Sequence, residues 1–330
     1  MIGHLLYRKL SAGAKTSSIL LYHRISDDPI DAWDLCVSVQ NFEQQLLWLK
    51  TNCRVLSLEE LVFDWSRKRL TPNSIPITFD DGYLDNYTLA SHLLEKYEIP
   101  AVFFVTNERK VLWWDELETC FLKNEILPER FHFTINSILI DYSLLGETVL
   151  TKELFSKLST WKAFTKPTTK RAGLLMQVWK QLRFMTYEEQ QKALMQIREW
   201  CSARLPAPDI MNETQIKNLS EQNLFEIGGH TKTHPAMSSL SVEKQKEEML
   251  ENKIYLEQII GEKVRYFSYP YGDYNEETIN IASELGFDAA FTTQDMPVGY
   301  CKRAHQLGRY CVTNGNLFTI MQKRRMAIAH

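Results

Sequence analysis

The chain has 330 residues, of which 44% are hydrophobic and 24% are charged. This composition excludes a disordered or fibrous chain, and the length allows one large domain or two modest ones. The formal net charge is only −3, so the chain has no general attraction for nucleic acid, and we expect no nucleic-acid partner.

Seven short apolar runs predict β-strands, and all of them lie towards the two ends of the chain. They cover residues 18–24, 75–80, 101–106, 225–228, 264–269, 289–293 and 309–312. Helical patterns alternate with these runs. Ser57 begins a capping box with Glu60, while Ser241 and Gly261 are residue types that typically begin and end a helix. This alternation is typical of an α/β fold.

The middle of the chain follows a different pattern, because the strand rhythm stops from about residue 111 to residue 223. The chain therefore divides into 1–110, a large, mainly helical insertion at 111–223, and 224–330. Five of the eight tryptophans lie in the insertion, namely Trp113, Trp114, Trp161, Trp179 and Trp200. They could line a sugar-binding wall, although aromatic residues of amphipathic helices more often belong to a core. The insertion could cap a site or form a dimer surface, and the sequence leaves the oligomeric state open.

Cysteine spacing and the N-terminal segment bear on the cellular compartment. The six cysteines are far apart and form no CxxC pair, which argues against a disulfide framework and a thiolate zinc site. The first apolar stretch is too short for the core of a signal peptide, and no run approaches the roughly 18 apolar residues of a spanning helix. We expect a cytoplasmic protein with no membrane span. Attachment of residues 2–10 to a membrane is the alternative.

Two adjacent carboxylates, Asp80 and Asp81, lie at the carboxyl end of the second predicted strand, in the sequence TFDDGY. Active sites of parallel-strand barrels and sheets form at this end of the strands. Two charges beside a buried apolar strand need a metal, a charged partner or water. A solvated turn or a helix cap is the structural alternative.

His230 and His234 directly follow the strand predicted at 225–228. Two imidazoles four residues apart can bind one metal when the backbone makes a single turn between them. Together with Asp81 they make a set of three ligands that leaves a position open for water. This is the pattern of a catalytic metal site.

A third segment, Phe267-Ser-Tyr-Pro-Tyr-Gly272, lies at the end of the fifth predicted strand. Its proline and glycine fix the backbone, and an amide N–H held there could donate to an oxyanion. As an isolated motif the segment is equally typical of an ordinary turn.

Taken in order, the three segments resemble the motifs of the polysaccharide deacetylase family, the carbohydrate esterases with a NodB homology domain that remove N-acetyl groups from amino sugars. The resemblance covers roughly residues 16–110 and 223–315. The segments LLYHRISDD, VLSLEEL and ITFDDGYLDNY are most similar to the branch that contains biofilm poly-N-acetylglucosamine deacetylases. The resemblance implies an α/β fold of the distorted (β/α)7 barrel type, which agrees with the seven predicted strands.

The resemblance also implies a role for each motif residue. Asp80 would be the general base, and Asp81, His230 and His234 would hold a divalent metal, most often Zn²⁺. Such a metal lowers the pKa of its water, and Asp80 would take the remaining proton during attack on the amide carbonyl. The oxyanion would then lie between the metal and the backbone amide of Tyr271.

The sequence departs from the family pattern at three places. Ser268 stands where many members have an arginine that orients the base. The late Leu-x-His motif, which supplies the general acid, is absent, because the corresponding strand begins Leu307-Gly-Arg. The DxxxW groove motif is absent as well.

These departures leave the general acid and the orienting arginine open. The acid could be another histidine, with His23 and His305 as candidates, or a different carboxylate or water, or turnover could be slow. Arg309 could replace the missing arginine, contact a substrate anion, or form a structural salt bridge.

The resulting prediction is a metal-dependent hydrolase that removes an N-acetyl group from an amino sugar during bacterial surface polysaccharide biosynthesis. Its partner would be an N-acetylated sugar or glycan precursor. A deformylase or other amide hydrolase acting on a sugar precursor is the enzymatic alternative. The third possibility is a non-catalytic glycan-binding protein that keeps the barrel and the metal.

Overall fold

A computed structural model describes residues 17–108 and 110–315. Within them the strands are β1 (Ile19–Tyr22), β2 (Arg24–Ile25), β3 (Cys36–Val37), β4 (Arg54–Val55), β5 (Ser74–Ile75), β6 (Ile77–Phe79), β7 (Ala101–Val105), β8 (Arg130–Ile135), β9 (Ile138–Ser143), β10 (Phe225–Gly229), β11 (Tyr266–Ser268), β12 (Ala289–Phe291) and β13 (Arg309–Cys311). Residues 2–10, the possible membrane attachment, lie outside the described part of the chain.

The helices in the same residues are α1 (Val39–Asn52), α2 (Leu58–Ser66), α3 (Ser91–Lys96), α4 (Trp113–Glu118), α5 (Lys152–Thr160), α6 (Lys170–Leu182), α7 (Tyr187–Cys201), α8 (Glu213–Ser220), α9 (Val242–Ile260) and α10 (Glu276–Glu284). Ser57 accepts a hydrogen bond from the Glu60 N–H at 3.1 Å, and α9 begins after Ser241 and ends at Gly261, which has a φ of 73°. The predicted starts of α2 and α9 and the end of α9 are therefore confirmed.

Seven parallel strands form the central sheet in the order β12-β11-β10-β7-β6-β1-β13. The two outer strands approach each other, because the Leu307 N–H donates to Ala290 O at 3.0 Å and the Thr292 N–H donates to Leu307 O at 2.9 Å. The sheet is a nearly closed barrel, and each of its strands coincides with one of the seven predicted runs. The predicted (β/α)7 barrel fold is confirmed.

Aromatic rings on neighbouring strands fill part of the barrel core. The rings of Tyr22 and Phe79 are stacked with centroids 5.4 Å apart, and those of Phe79 and Phe103 are stacked at 5.0 Å. The three residues come from β1, β6 and β7, and all are fully buried. Such rings bury a large apolar area, so this row fixes β6, the strand that leads into Asp80.

The described residues divide into two compact units. The barrel unit comprises 17–27, Leu35–Glu108 and 211–315, and the helical unit comprises Asp28–Asp34 and 110–210. The chain thus returns to the barrel unit at Met211, ahead of the boundary placed at residue 223. Ile216 and Leu219 of α8 explain the difference, because both pack in the barrel core.

The helical unit contains a β-hairpin besides its helices. β8 and β9 pair antiparallel from Arg130↔Ser143 to Ile135↔Ile138. The sequence interpretation, which described this region as mainly helical, did not include the hairpin. Trp113, Trp114 and Trp161 are buried in this unit, so they belong to its core.

Two further features of the described residues concern membrane spans and cysteines. No helix there combines the length and the apolar character needed to cross a bilayer. Three of the six cysteines, Cys36, Cys120 and Cys201, are buried.

Candidate metal centre

Asp81, His230 and His234 converge at the carboxyl ends of β6 and β10. Their ligand atoms all lie within 4.8 Å of one another, and the three residues are buried. Asp81 Oδ1 is 3.2 Å from His230 Nε2 and 3.1 Å from His234 Nε2. Ligands about 2.0–2.1 Å from a tetrahedral zinc ion are separated by roughly 3.4 Å, so these spacings fit one ion bound by all three. The structure brings the predicted ligand set together.

The hydrogen bonds of His230 determine which of its ring nitrogens can bind a metal. Its Nδ1–H donates to the carbonyl oxygen of Ser268 at 2.8 Å, because a carbonyl can only accept. In the neutral ring, Nε2 therefore carries a lone pair that faces the Asp81 carboxylate. Two acceptors face each other in this arrangement, and a cation between them satisfies both.

Without a metal, the side chains of this site interact with one another, and their pKa values are shifted. Burial raises the pKa of Asp81, but hydrogen bonds from His230 and His234 outweigh burial and hold it well below its usual range. Burial lowers the pKa of His230, but the charges of Asp80 and Asp81 outweigh burial and raise it. The site therefore concentrates negative charge that protonated histidine balances when no metal is bound.

The backbone around the ligands is left-handed at four non-glycine residues. The φ angles are 75° at Asp81, 64° at Thr231, 59° at His234 and 58° at Tyr271. Such conformations cost on the order of 1–3 kcal/mol each and are concentrated at functional sites. Thr231 Oγ1 accepts a hydrogen bond from the His234 N–H at 3.0 Å, which stabilises the turn between the two histidines.

The neighbouring Asp80 is buried and bound by a second group of side chains. Arg309 Nη1 lies 2.7 Å from Asp80 Oδ1, and Arg309 Nη2 lies 2.6 Å from Asp80 Oδ2. Ser268 Oγ donates to Asp80 Oδ2 at 2.9 Å and accepts from Arg309 Nη2 at 2.6 Å. Burial raises the pKa of Asp80, but the charges of Arg309 and His230 outweigh burial and lower it. Asp80 is therefore ionised at neutral pH, as a general base must be.

Tyr271 lies in a short 3₁₀ turn, Pro270–Gly272, directly after β11. Its ring packs edge-on against the ring of His234, with centroids 4.6 Å apart and planes at 82°. Gly272 has a φ of 64°, and a Cβ at this position would overlap Thr293. The turn holds Tyr271 beside the ligand His234.

The sequence profile of the polysaccharide deacetylase family matches residues 67–124 and 179–290, together just over half of the chain. The chain belongs to the polysaccharide deacetylase family. The matched ranges contain Asp80, Asp81, His230, His234 and Tyr271, whereas His23, His305 and Arg309 lie outside them.

Two curated relatives are similar in sequence to this deacetylase-family chain. The putative polysaccharide deacetylase YxkH of Bacillus subtilis is 21% identical over 299 residues, which cover 90% of the chain and 71% of the relative. The poly-beta-1,6-N-acetyl-D-glucosamine N-deacetylase of Staphylococcus epidermidis is 30% identical over 114 residues, which cover 30% of the chain and 39% of the relative. The resemblance to the biofilm deacetylases is thereby confirmed.

Solved deacetylase structures share the fold of this family member. IcaB from Ammonifex degensii superposes with a TM-score of 0.55 at 19% identity, covering 96% of this chain and 97% of that one. The Streptococcus pyogenes deacetylase PplD, in complex with acetate, superposes with a TM-score of 0.53 at 20% identity, covering 93% and 98%. These similarities establish the barrel architecture of the deacetylase chain.

The two histidines considered as the general acid of the deacetylase lie in different places. His23 follows β1, the strand next to β6. Burial raises the pKa of both Asp80 and Asp81, whereas neighbouring charges that include His23 lower it. His305 Nε2 instead bonds to the backbone oxygen of Phe287 at 2.8 Å. Phe287 lies two residues before β12 begins, whereas Asp81, His230 and His234 lie at the carboxyl ends of the strands. His23, and not His305, is therefore among the groups whose charge influences the two aspartates.

One buried residue of the deacetylase site has no sequence motif. Asn252 on α9 accepts a hydrogen bond from the His230 N–H at 2.9 Å. Its Nδ2 donates to Val105 O at 2.9 Å and to Asn107 Oδ1 at 3.0 Å. A polar residue on the buried side of a predicted amphipathic helix was the one available signal.

Proposed function

We propose that the chain is a metal-dependent hydrolase that removes an N-acetyl group from an amino sugar. The observation that carries this proposal is the meeting of Asp81 with His230 and His234, beside a second, arginine-bound carboxylate at Asp80. A binding module would need the metal set alone, whereas hydrolysis needs a metal set and an ionised base next to it. Family membership supports the reaction class.

Asp81, His230 and His234 would hold the divalent metal, for which Zn²⁺ is the expected ion. Two imidazoles and one carboxylate are ligand types that zinc prefers, and they leave a coordination position open. When bound, such an ion supplies Lewis acidity that activates water for attack on an amide carbonyl. The Ser268 carbonyl holds the His230 ring in the orientation that this binding needs.

Asp80 would take the proton of the attacking water. Arg309 occupies both of its oxygens, so the carboxylate keeps one orientation, and its remaining lone pairs stay available to accept a proton. The lowered pKa of Asp80 keeps it ionised across the neutral range. The backbone amide of Tyr271 would donate to the oxyanion that forms on the substrate, an interaction whose loss typically costs about 3–4 kcal/mol of barrier.

We assign the proton donor for the leaving amine to His23. It follows β1 at the same end of the barrel as Asp80, and its Nδ1 is buried with no hydrogen-bond partner among the described residues. His305 is the weaker candidate, because its ring is bonded to the Phe287 carbonyl. This assignment replaces the late histidine motif that the sequence lacks.

The substrate would be an N-acetylated sugar or glycan precursor used in bacterial surface polysaccharide biosynthesis. The names of the staphylococcal relatives, which act on a poly-N-acetylglucosamine, support an N-acetylglucosamine unit. We also propose a cytoplasmic location, which cell fractionation tests directly.

The experiment measures metal content together with amine release from N-acetylated nucleotide sugars, lipid-linked sugars and oligosaccharides. Wild type is compared with Asp80→Asn and with Asp27→Asn, an exposed aspartate of the other Asp-Asp pair. We expect near-stoichiometric metal in all three proteins, and amine release that is lost only in Asp80→Asn.

Other outcomes would replace the proposal. Release from formylated but not acetylated sugars would indicate a deformylase. Metal without turnover on any substrate would indicate a glycan-binding protein. A protein that binds no metal would overturn the site itself.

A further inference from the structure

Exposed apolar side chains are concentrated in the helical unit. Of the 17 large hydrophobic residues that are exposed in the described part of the chain, ten lie in this unit, which contains about a third of the chain. Soluble monomers rarely expose apolar side chains in such concentration unless the surface has a binding role.

The same unit contains a strongly basic segment. Residues 151–186 include eight lysines and arginines but a single acidic residue, Glu153, whereas the whole chain has a net charge of −3. The rest of the chain therefore has a net charge of −10. Arg171 is buried and Lys162 is paired with Asp31, but Lys166 and Lys180 are exposed.

Ring and cation contacts link four residues of this segment. Phe164 is 76% exposed, and its ring packs edge-on against Trp179 with centroids 6.4 Å apart. The Arg183 guanidinium lies 5.3 Å from the Trp179 ring and 5.4 Å from the ring of Phe184, which is 60% exposed. These four residues and the exposed lysines close to them in the chain, Lys166 and Lys180, make up the aromatic–basic patch.

We propose that the aromatic–basic patch binds the surface of an anionic phospholipid bilayer. Exposed phenylalanine and tryptophan rings partition to the boundary between headgroups and acyl chains, and adjacent lysine and arginine side chains extend to the phosphates. Each cation near an anionic leaflet adds attraction that salt screens. The patch combines both features on one surface.

Charge complementarity favours a lipid surface over a protein partner. Protein interfaces are enriched in aromatic residues and arginine but depleted in lysine, whereas residues 151–186 contain six lysines. The net charge of −10 elsewhere disfavours a general attraction of the whole molecule to anionic lipid. Binding should therefore depend on local basic residues and not on the charge of the whole chain.

The test is sedimentation of the full chain with vesicles of phosphatidylcholine, or of phosphatidylcholine mixed with phosphatidylglycerol. We expect binding to the mixed vesicles only, and weaker binding in 0.5 M salt. The pair Lys166→Gln and Lys180→Gln should weaken partitioning about tenfold or more, since each cation adds about 1 kcal/mol. The pair Phe164→Ser and Phe184→Ser should weaken it at least as much.

The matched control is Phe63→Ser in the barrel unit. Phe63 is 49% exposed and has Arg67 and Arg69 beside its ring at 4.8 Å and 5.7 Å, so it reproduces the local chemistry outside the patch. Thermal melts establish that each variant is folded.

The absence of binding to anionic vesicles at low salt, or equal loss in Phe63→Ser, would overturn the proposal. Dissociation of a wild-type oligomer by the Phe164 and Phe184 changes would identify a protein interface instead. The assay measures binding and not turnover, so its outcome is independent of the proposed hydrolase activity.

Discussion

The Arg309 guanidinium binds both carboxylate oxygens of Asp80, although 229 positions separate the two residues in the chain. Ser268 stands where the family pattern often has the arginine that orients the base, and its hydroxyl bonds to both members of the pair. In the proposed mechanism, β13 instead of β11 would therefore supply the arginine that orients the base. Arg309 is fully buried, which argues against the alternative that it contacts a substrate anion.

Replacing Arg309 with methionine should change the pH profile as well as the stability. Loss of the opposite charge raises the pKa of Asp80, so the acid limb of kcat/KM should move to higher pH by on the order of one to two units. The unpaired buried carboxylate should also lower the free energy of unfolding by about 3–5 kcal/mol. Measured pH–rate profiles and denaturant unfolding test both effects.

Arg309→Lys and Arg265→Met separate orientation from general destabilisation. Lysine keeps the charge without the bidentate geometry, so the acid limb should move less than in Arg309→Met. Arg265, which pairs with Glu59 and Asp288 at the surface, should change the profile little. An unchanged acid limb in Arg309→Met would limit Arg309 to a structural role.

Much of the barrel and of the metal site could be predicted from the sequence. The seven strands are short apolar runs, and residues that follow parallel strands meet at one end of a barrel. Asp81 and the two histidines could therefore be placed together from their positions after the strands that became β6 and β10. The left-handed backbone at Asp81 and His234 could not be predicted, because only a few per cent of non-glycine residues adopt it.

Contacts made by side chains from distant elements were harder to predict. Asn252 reaches His230 from α9, and no spacing rule connects a helix residue to a loop 22 positions earlier. For Arg309 the sequence left three alternatives, because orientation of the base, substrate contact and a structural ion pair all use a cation, and the sequence does not show whether that cation is buried. The membership of Asp28–Asp34 in the helical unit depends on tertiary contacts such as the bond from the Ala163 N–H to Ala32 O.

Zinc should stabilise the protein in a pH-dependent manner. Metal binding needs neutral imidazoles, so protons compete with zinc, and the raised pKa of His230 extends this competition to higher pH than for an ordinary histidine. The increase in Tm on adding zinc should therefore be larger at pH 8 than at pH 6. Calorimetry with and without zinc at both values measures this difference.

His234→Gln and His92→Gln provide the comparison for the zinc experiment. The first variant removes a proposed ligand and should lose most of the zinc-dependent increase in Tm. His92 is exposed and does not belong to the group of Asp81, His230 and His234, so its variant should behave as wild type. The same increase in all three proteins would place zinc at another site.

Asn252→Asp should weaken both the fold and the metal site. The aspartate keeps an acceptor for the His230 N–H but loses the bonds donated to Val105 O and Asn107 Oδ1. Two lost bonds and a buried charge should lower the free energy of unfolding by about 2–4 kcal/mol. Metal affinity should fall by about tenfold or more, as for other residues that support metal ligands.

Unfolding curves and zinc titration measure the two effects of Asn252→Asp. Asn218→Asp is the control, because Asn218 is exposed and makes its side-chain bond to Tyr87 Oη. Wild-type zinc affinity in Asn252→Asp would mean that the helix does not position His230.

Ser137→Gly should stabilise the hairpin of β8 and β9. Asn136 and Ser137 connect these strands with φ angles of 51° and 61°, which is the two-residue turn in which Asn-Gly is strongly favoured. Glycine adopts positive φ at little cost, so the free energy of unfolding should rise by roughly 0.5–1 kcal/mol. Ser143→Gly, in the extended part of β9, should lower it instead, because glycine in a strand loses more backbone entropy and packs no side chain. Thermal or denaturant unfolding of the two variants measures both changes. If the free energy of unfolding changed in the same direction in both variants, the effect of glycine at position 137 would not come from the left-handed turn.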